Sequence, residues 1–445
     1  MEISKNKKHQ YLFFFIISIY TVFNGGNSNI LIQINFALFS LLFLYCLKDR
    51  NYRSHLTIFY IRNKFSILFY LLFLFYLIFQ IIPMPVDFLK FFSLEKYNII
   101  DKLNFENKYS SISLSPSNSF FQFLNFLTLI IFLFIIKMIF YTDRHINRLY
   151  LFLSFLGFIS SFIAILLFLN GNPDFFFFKN KSYFDSSTGF FINRTVFSIF
   201  LLFCLISSFE LLKKSNLTKR NKKNINFFLK IYIRLFIIFI TIGIITSFSR
   251  IGNFLLLITI VFYLINDFFF IKNNDKSFRY IILLIVLFDI IIMGYYFGNT
   301  KIFERFYFVG EDLAPILTTD NDFNRFSIMK FSFNQFFDYM FFGYGSGSFE
   351  TLFQIKFNTT DSSYANHAHS DIIEFIGEFG IFGFSLLILS ILKFLLNIKI
   401  FNLINIILLI YLFIILTFDF SLHIPLIQLL LIFFYSSNKK FAKVN

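Results

Sequence analysis

The sequence predicts an all-α polytopic membrane protein of about 12 transmembrane helices, with a large outer loop carrying short helices. Composition is the first ground. Of the 445 residues, 57% are hydrophobic and 15% are charged, and the mean hydropathy is +0.71. Soluble chains average about 45–50% apolar and about 25% charged residues, so a soluble fold of this length could not hide the excess. The second ground is a recurrence of apolar stretches near the roughly 17–25 residues needed to cross a bilayer. The third is the placement of the positive charges, which alternates with those stretches.

In chain order the predicted spans are residues 11–28, 30–47, 65–82, 120–141, 149–169, 191–212, 231–248, 251–271, 280–297, 371–392, 401–418 and 423–437. The first follows the basic segment Met1–Gln10 and lacks a small-residue cleavage site, so it reads as a retained helix rather than a signal peptide. With the N-terminus inside, the inner segments are Lys5–Lys8, Lys48–Lys64, Asp143–Arg148, Lys213–Lys230, Lys272–Arg279, Lys393–Lys399 and Lys439–Lys443. They hold about 25 of the 40 Lys and Arg residues, the asymmetry expected of cytoplasmic loops. One miscounted helix would invert this bias downstream, and it does not invert.

The domain reading follows: residues 1–297 form helices one to nine, 298–370 the large outer loop and 371–445 helices ten to twelve, all one membrane domain. A second long outer loop, 83–119, opens Ile82-Pro83-Met84-Pro85 and closes Ser113-Leu114-Ser115-Pro116-Ser117. Loops beyond about 12–15 residues without strong structural signals are often functional. The net charge of +15 is accounted for by inner loops, so no nucleic acid is expected as a partner. Cys46 and Cys204 fall inside predicted spans without a metal or disulfide pattern. The 79 Phe and absent Trp look like codon bias, which lowers the weight of any single Phe.

Ionisable groups at membrane boundaries are costly and mark candidate sites. Arg194 ends Gly189-Phe190-Phe191-Ile192-Asn193-Arg194, where an outer loop enters the sixth span; a snorkelling side chain is the structural alternative. Arg250 lies in Thr246-Ser247-Phe248-Ser249-Arg250-Ile251-Gly252, a tight outer turn among hydroxyls, where a guanidinium could grip a phosphate in bidentate fashion. Arg325 follows Asp322-Phe323-Asn324 in the large loop. Downstream, Gly343-Tyr344-Gly345-Ser346-Gly347-Ser348 reads as a tight backbone turn rather than a nucleotide loop.

The segment Asn366-His367-Ala368-His369-Ser370-Asp371 runs into Ile372-Ile373-Glu374-Phe375-Ile376-Gly377-Glu378. His367 and His369 lack a third ligand at zinc spacing, so His369 is read as a proton acceptor or hydrogen-bond donor. Asp371, Glu374 and Glu378 share one helical stripe. The helix dipole accounts for Asp371, while Glu374 and His367 are supporting candidates. His423, in Asp419-Phe420-Ser421-Leu422-His423-Ile424-Pro425, reads as structural.

These motifs together resemble the O-antigen ligase / O-antigen polymerase family of bacterial membrane glycosyltransferases. The likeness runs from about residue 80 to 425, the His-bearing segment being its most specific part and Ser249-Arg250-Ile251-Gly252 the next. Ser370 departs from the pattern, since the family commonly has Asn there. The resemblance implies an inner-membrane, multi-pass enzyme whose active site faces the periplasm. It would pass a glycan from an undecaprenyl-diphosphate carrier to a sugar hydroxyl: lipid A–core in ligases, a second carrier-linked repeat in polymerases. It further implies metal-independent, inverting chemistry without cofactors. Arg194 and Arg250 would be diphosphate ligands, Arg325 a further member, and His369 would stand at the acceptor hydroxyl. Donor, lipid-linked acceptor and membrane lipids are the implied partners. A polymerase, a transporter of lipid-linked saccharides and a non-catalytic assembly partner stand as alternatives to the ligase reading.

Overall fold

The computed structural model describes residues 2–102, 108–174, 183–217, 223–269, 325–357, 365–396 and 402–437, with single positions at 280, 283, 284 and 287. They are almost wholly helical. α1 (Glu2–Val22) and α2 (Asn29–Leu47) form a hairpin, and the Ser28 hydroxyl caps α2 by accepting the Leu31 amide at 3.3 Å. α3 (Arg50–Ile81) starts behind Asp49, whose carboxylate accepts the Asn51 amide. The loop that follows carries α4 (Val86–Phe92) and α5 (Leu94–Lys102). A short antiparallel pairing of β1 (Met84–Pro85) with β2 (Tyr109–Ser110) closes its base. Then come α6 (Pro116–Ile139), α7 (Asp143–Leu169), α8 (Arg194–Leu217), α9 (Lys223–Thr246) and α10 (Arg250–Phe269). The last described stretches hold α11 (Arg325–Asp338), α12 (Phe349–Lys356), α13 (Asp371–Leu396), α14 (Leu403–Phe418) and α15 (Pro425–Ser437).

The span count differs from the expected twelve. Among the described residues, eight helices are long and apolar enough to cross a membrane: α2, α3, α6, α7, α8, α9, α10 and α13. The predicted span 11–28 falls on α1, whose first turns carry Lys5, Lys7 and Lys8. Those at 401–418 and 423–437 became α14 and α15, of 16 and 13 residues. The turn joining them is polar yet buried, with Asp419, Ser421 and His423 all inside the protein. The predicted span 280–297 lies, apart from four positions, outside the described residues. The expected short helices of the large loop are represented by α11 and α12. They pack onto the bundle through a small apolar cluster around Ile328, Tyr344 and Phe353 and form no separate subdomain.

Side-chain ties fix which helix ends lie together. Asn125 Nδ2 donates to Gln428 Oε1 at 2.9 Å and Lys137 Nζ to the Ser436 carbonyl at 2.5 Å, so α6 and α15 run parallel. The hydroxyls of Thr259 and Tyr411 meet at 2.5 Å, joining α10 to α14. α8 is the central helix, with 89% of its apolar window buried inside the protein. The start of α8, α10, α13 and α15 and the end of α3 and α14 consequently gather at one end of the bundle.

α13 is broken inside that end. Gly380 has φ 62 and ψ 177, a conformation suited to glycine. The interruption is filled by residues 340–345: the amides of Ile381 and Phe382 donate to the carbonyls of Met340 and Phe341, and those of Tyr344 and Gly345 to the carbonyls of Gly377 and Glu378. From α3, the Tyr76 hydroxyl lies 2.7 and 2.8 Å from the Phe342 and Phe379 carbonyls. Gln80 Nε2 donates to the Glu378 carbonyl at 2.9 Å. Non-helical backbone at membrane depth is tolerated when protein groups satisfy it in this way.

Candidate functional site

The His-bearing loop is fixed by a network of buried carboxylates. Glu374, on the first turn of α13 and 1% exposed, accepts the Ala368 amide at 2.7 Å through Oε2. Its Oε1 lies 2.9 Å from His367 Nδ1 and 3.2 Å from His423 Nε2. The second contact is close enough for charge attraction but is not directed as a hydrogen bond. Asp371, fully buried, takes His423 Nδ1 at 2.5 Å on one oxygen and the Leu422 amide at 2.9 Å on the other. A carboxylate oxygen accepts, so the Nδ1 proton on both rings points at an acid. Removing such groups from water is costly without these partners. The Asp371 amide donates to the Asp419 carbonyl at 2.9 Å, and the Ser421 hydroxyl donates to the Asp419 carboxylate. Loop 365–370 and turn 419–424 are thereby stitched into one unit.

His369 stands at the edge of this unit with a positive φ of 57. Such backbone is uncommon for non-glycine residues and concentrates at functional sites. Its ring meets Phe420 edge-on at 5.5 Å. Burial, then the positive charges of Arg325 and His367, push its imidazole down to about 4, with Glu374 opposing. His369 is thus neutral near pH 7. Arg325, the first residue of α11, faces Asp419 as well. There burial raises the carboxyl, the Ser421 hydrogen bond lowers it, Asp371 raises it and Arg325 lowers it, leaving it at about 6.

Arg194 and Arg250 form a second group. Each opens a helix, Arg194 that of α8 and Arg250 that of α10. Asn193 caps the first by accepting the Thr195 amide at 2.7 Å. Ser249 caps the second by accepting the Gly252 amide at 3.1 Å. The Ser249 hydroxyl also donates to Thr195 Oγ1 at 3.2 Å, so the residues next to the two arginines touch. Gly252 permits this approach, because a Cβ there would meet Ser198 Oγ at 2.2 Å. The Arg194 guanidinium lies over the Tyr183 ring at 5.2 Å, and Arg250 is exposed. Two helix N-termini, each bearing an arginine, make a site suited to an anion by partial charge and by donor geometry.

The structure therefore sets Arg194 and Arg250 on adjoining helix starts, and puts Arg325 within electrostatic reach of His369 and Asp419. It also brings His367, Glu374, Asp371 and His423 together. The two groups share one end of the bundle, linked by turn 421–423 packed on α8 and by α14 packed on α10. Sequence reasoning took His423 for a structural residue and let the helix dipole explain Asp371; both belong to the centre of the network. The signal for His423 was present in the Asp419–Pro425 motif, but nothing local says that it meets a residue far upstream. Glu378, further along α13, accepts the amides of Gly347 and Ser348, which ties the glycine-rich turn to the same helix.

His367, Glu374 and His423 also present ligand atoms within 4.8 Å of one another, a spacing that can hold a metal ion. The same atoms are already within hydrogen-bonding or ion-pair reach of each other, so a proton-bearing network fits the geometry as well.

No curated protein matches the chain. A family model described as O-antigen ligase matches residues 235–388, a stretch that contains Arg250, Arg325, His367, His369, Asp371, Glu374 and Glu378 and leaves Arg194, Asp419 and His423 outside. Over that stretch the chain is similar to the O-antigen ligase family.

Proposed function

We propose that this protein moves a glycan from an undecaprenyl-diphosphate carrier to a sugar hydroxyl at the periplasmic face of the bacterial inner membrane, in the manner of an O-antigen ligase. The likeness to the O-antigen ligase family over residues 235–388 supports a general role in glycan transfer. The observation that carries the finer reading is the side-by-side placement of Arg194 and Arg250 at two helix N-termini, on the bundle end that holds a neutral His369. The acceptor oxygen attacks the anomeric carbon as the bond from that carbon to the diphosphate oxygen breaks. The electron pair leaves with the diphosphate, and the hydroxyl proton passes toward His369. Negative charge grows on the leaving group, where preplaced guanidinium groups and helix N-termini stabilise it without reorganisation. Attack opposite the leaving group inverts the anomeric centre. Burial, helped by the charge of Arg325, keeps the His369 ring uncharged, as a proton acceptor requires. His367 and Glu374 hold the loop that presents it.

The roles of Arg250 and His369 are tested in reconstituted vesicles with labelled carrier-linked glycan and a lipid-linked sugar acceptor. Arg250→Ala and His369→Ala are each expected to lower transfer by about 10²–10³-fold at normal protein levels. Near-wild-type product from both variants removes the site. Movement of the label between leaflets without a new glycosidic product replaces the enzyme by a transporter of lipid-linked saccharides. Product on a second carrier-linked repeat rather than on lipid A–core makes the protein a polymerase.

A further inference from the structure

At the end of the bundle opposite the network of His367, His369 and His423, α1, α7 and α9 part around a cleft of about 450 Å³. Its walls are aromatic: Phe14 stacks on Phe152 at 4.4 Å, and Phe155 lies against Phe236 at 6.0 Å. Its polar rim is formed by Lys7 and Arg148. Arg148 Nη1 donates to the buried Gln10 Oε1 at 3.0 Å, which holds the guanidinium in the wall of the cleft. No acidic side chain lines the cleft among the described residues. Tyr11 and Tyr232, 66% and 57% exposed, flank it where interfacial aromatics are expected.

An apolar slot rimmed by cations alone suits one kind of occupant. A zwitterionic lipid would bring a phosphate, but with it an ammonium group that two basic side chains repel. A peptide would need polar partners that these walls lack. We propose that this cleft binds one anionic phospholipid, its phosphate on Arg148 and Lys7 and its acyl chains along Phe152, Phe155 and Phe236. Basic pockets between transmembrane helices hold anionic headgroups by the same physics, and a guanidinium matches a phosphate in bidentate fashion. The bound lipid bridges α1 to α7 and α9, at a distance from the glycan site, so the proposal does not depend on the transfer chemistry.

The chain contains no Trp, so Phe155→Trp places a single fluorophore in the cleft. Leu151→Trp serves as a second reporter on the same wall, and Phe413→Trp, 65% exposed on α14, as a lipid-facing reference. Each full-length variant is reconstituted in phosphatidylcholine vesicles with brominated phosphatidylglycerol or brominated phosphatidylcholine as quencher. At the cleft reporters, phosphatidylglycerol is expected to quench at about fivefold lower mole fraction or better, the preference contributed by one basic side chain or more. At the Phe413 position the two lipids quench alike. Arg148→Gln with Lys7→Gln in the reporter background brings the cleft ratio to one. Equal quenching by the two lipids at the cleft overturns the proposal, as does a phosphatidylglycerol preference that survives both substitutions or is equally large at the reference position.

Discussion

His423 Nδ1 stands 2.5 Å from Asp371 Oδ1, a buried contact that joins the polar turn before the last helix to the first residue of the broken helix. Asp371 has no other side-chain donor among the described residues; its second oxygen takes the Leu422 amide. Removing one partner of a buried pair leaves the other without compensation, at about 3–5 kcal/mol. His423→Ala is therefore expected to destabilise more than the isosteric Asp371→Asn, which keeps the shape and one hydrogen bond. Thermal unfolding of the detergent-solubilised protein, followed by loss of the monodisperse peak, ranks the two. Equal stability of His423→Ala and wild type would show that the contact does not hold the turn.

The break in α13 makes a backbone prediction. A Cβ at Gly380 would lie 2.4 Å from the Phe341 carbonyl oxygen, and one at Gly343 would lie 2.2 Å from the Glu378 carbonyl oxygen. Both residues also have positive φ. Gly380→Ala and Gly343→Ala must move backbone on two elements and are expected to cost more than about 2 kcal/mol each, strain and overpacking acting together. Gly171, with φ of 75 and nothing within 4 Å of a Cβ, is the control. There only the conformational cost of about 1 kcal/mol applies. Comparable unfolding temperatures for all three variants would remove the packing explanation.

The pH dependence follows from His369 being pushed down to about 4 by burial, Arg325 and His367. Between pH 4 and the usual value near 6.5, the unfolded chain binds a proton that the folded one does not. The stability contributed by this histidine is then complete above 6.5 and falls as the pH drops toward 4. Transfer should follow the folded value, so the neutral ring persists through pH 5. Measured in the Asp419→Asn background, which removes the neighbouring carboxyl held at about 6, the acid limb is expected near pH 4. Arg325→Gln should move it upward by relieving the repulsion. A limb at 6.5 in both backgrounds would separate His369 from the arginine.

The His367, Glu374 and His423 group decides between a proton network and a metal centre. Transfer after exhaustive chelation is expected to remain at the untreated level. Glu374→Gln is expected to lower it, because His367 and the Ala368 amide meet separate carboxylate oxygens, and in the amide one of those positions becomes an NH2 that cannot accept. Activity lost with chelator and restored by zinc alone would assign the group to an ion.

How much of this was legible in sequence is instructive at particular residues. The apolar runs marked most helices, and the tight Ser247–Ile251 turn marked Arg250, because both signals are local. The stripe of Asp371, Glu374 and Glu378 followed from helical spacing alone. His423 and Gly380 could not be read in this way. The role of His423 depends on a turn folding back onto α13. Gly380 breaks its helix only because residues 340–345 supply the missing hydrogen bonds. Eight of the twelve expected spans fall on helices long and apolar enough to cross a membrane among the described residues; α14 and α15 are shorter, and hydropathy alone does not fix helix length.

The paired arginines carry the sharpest kinetic prediction. The Ser249 hydroxyl donating to Thr195 Oγ1 at 3.2 Å sets the registers of α8 and α10, and hence the spacing of Arg194 and Arg250. A diphosphate spanning both would use planar, bidentate contacts that an ammonium group cannot reproduce. Arg250→Lys keeps the charge and should still lower transfer by about tenfold or more, consistent with loss of one charge-assisted hydrogen bond. Gly252→Ala keeps both arginines, but its Cβ would run into Ser198 Oγ at 2.2 Å and push the two helix starts apart. If the diphosphate is held between them, Gly252→Ala should raise the apparent KM for the carrier-linked donor while leaving that for the acceptor unchanged. A Gly252→Ala enzyme with unaltered donor dependence would show that the two arginines act separately, because only a shared ligand makes their spacing matter.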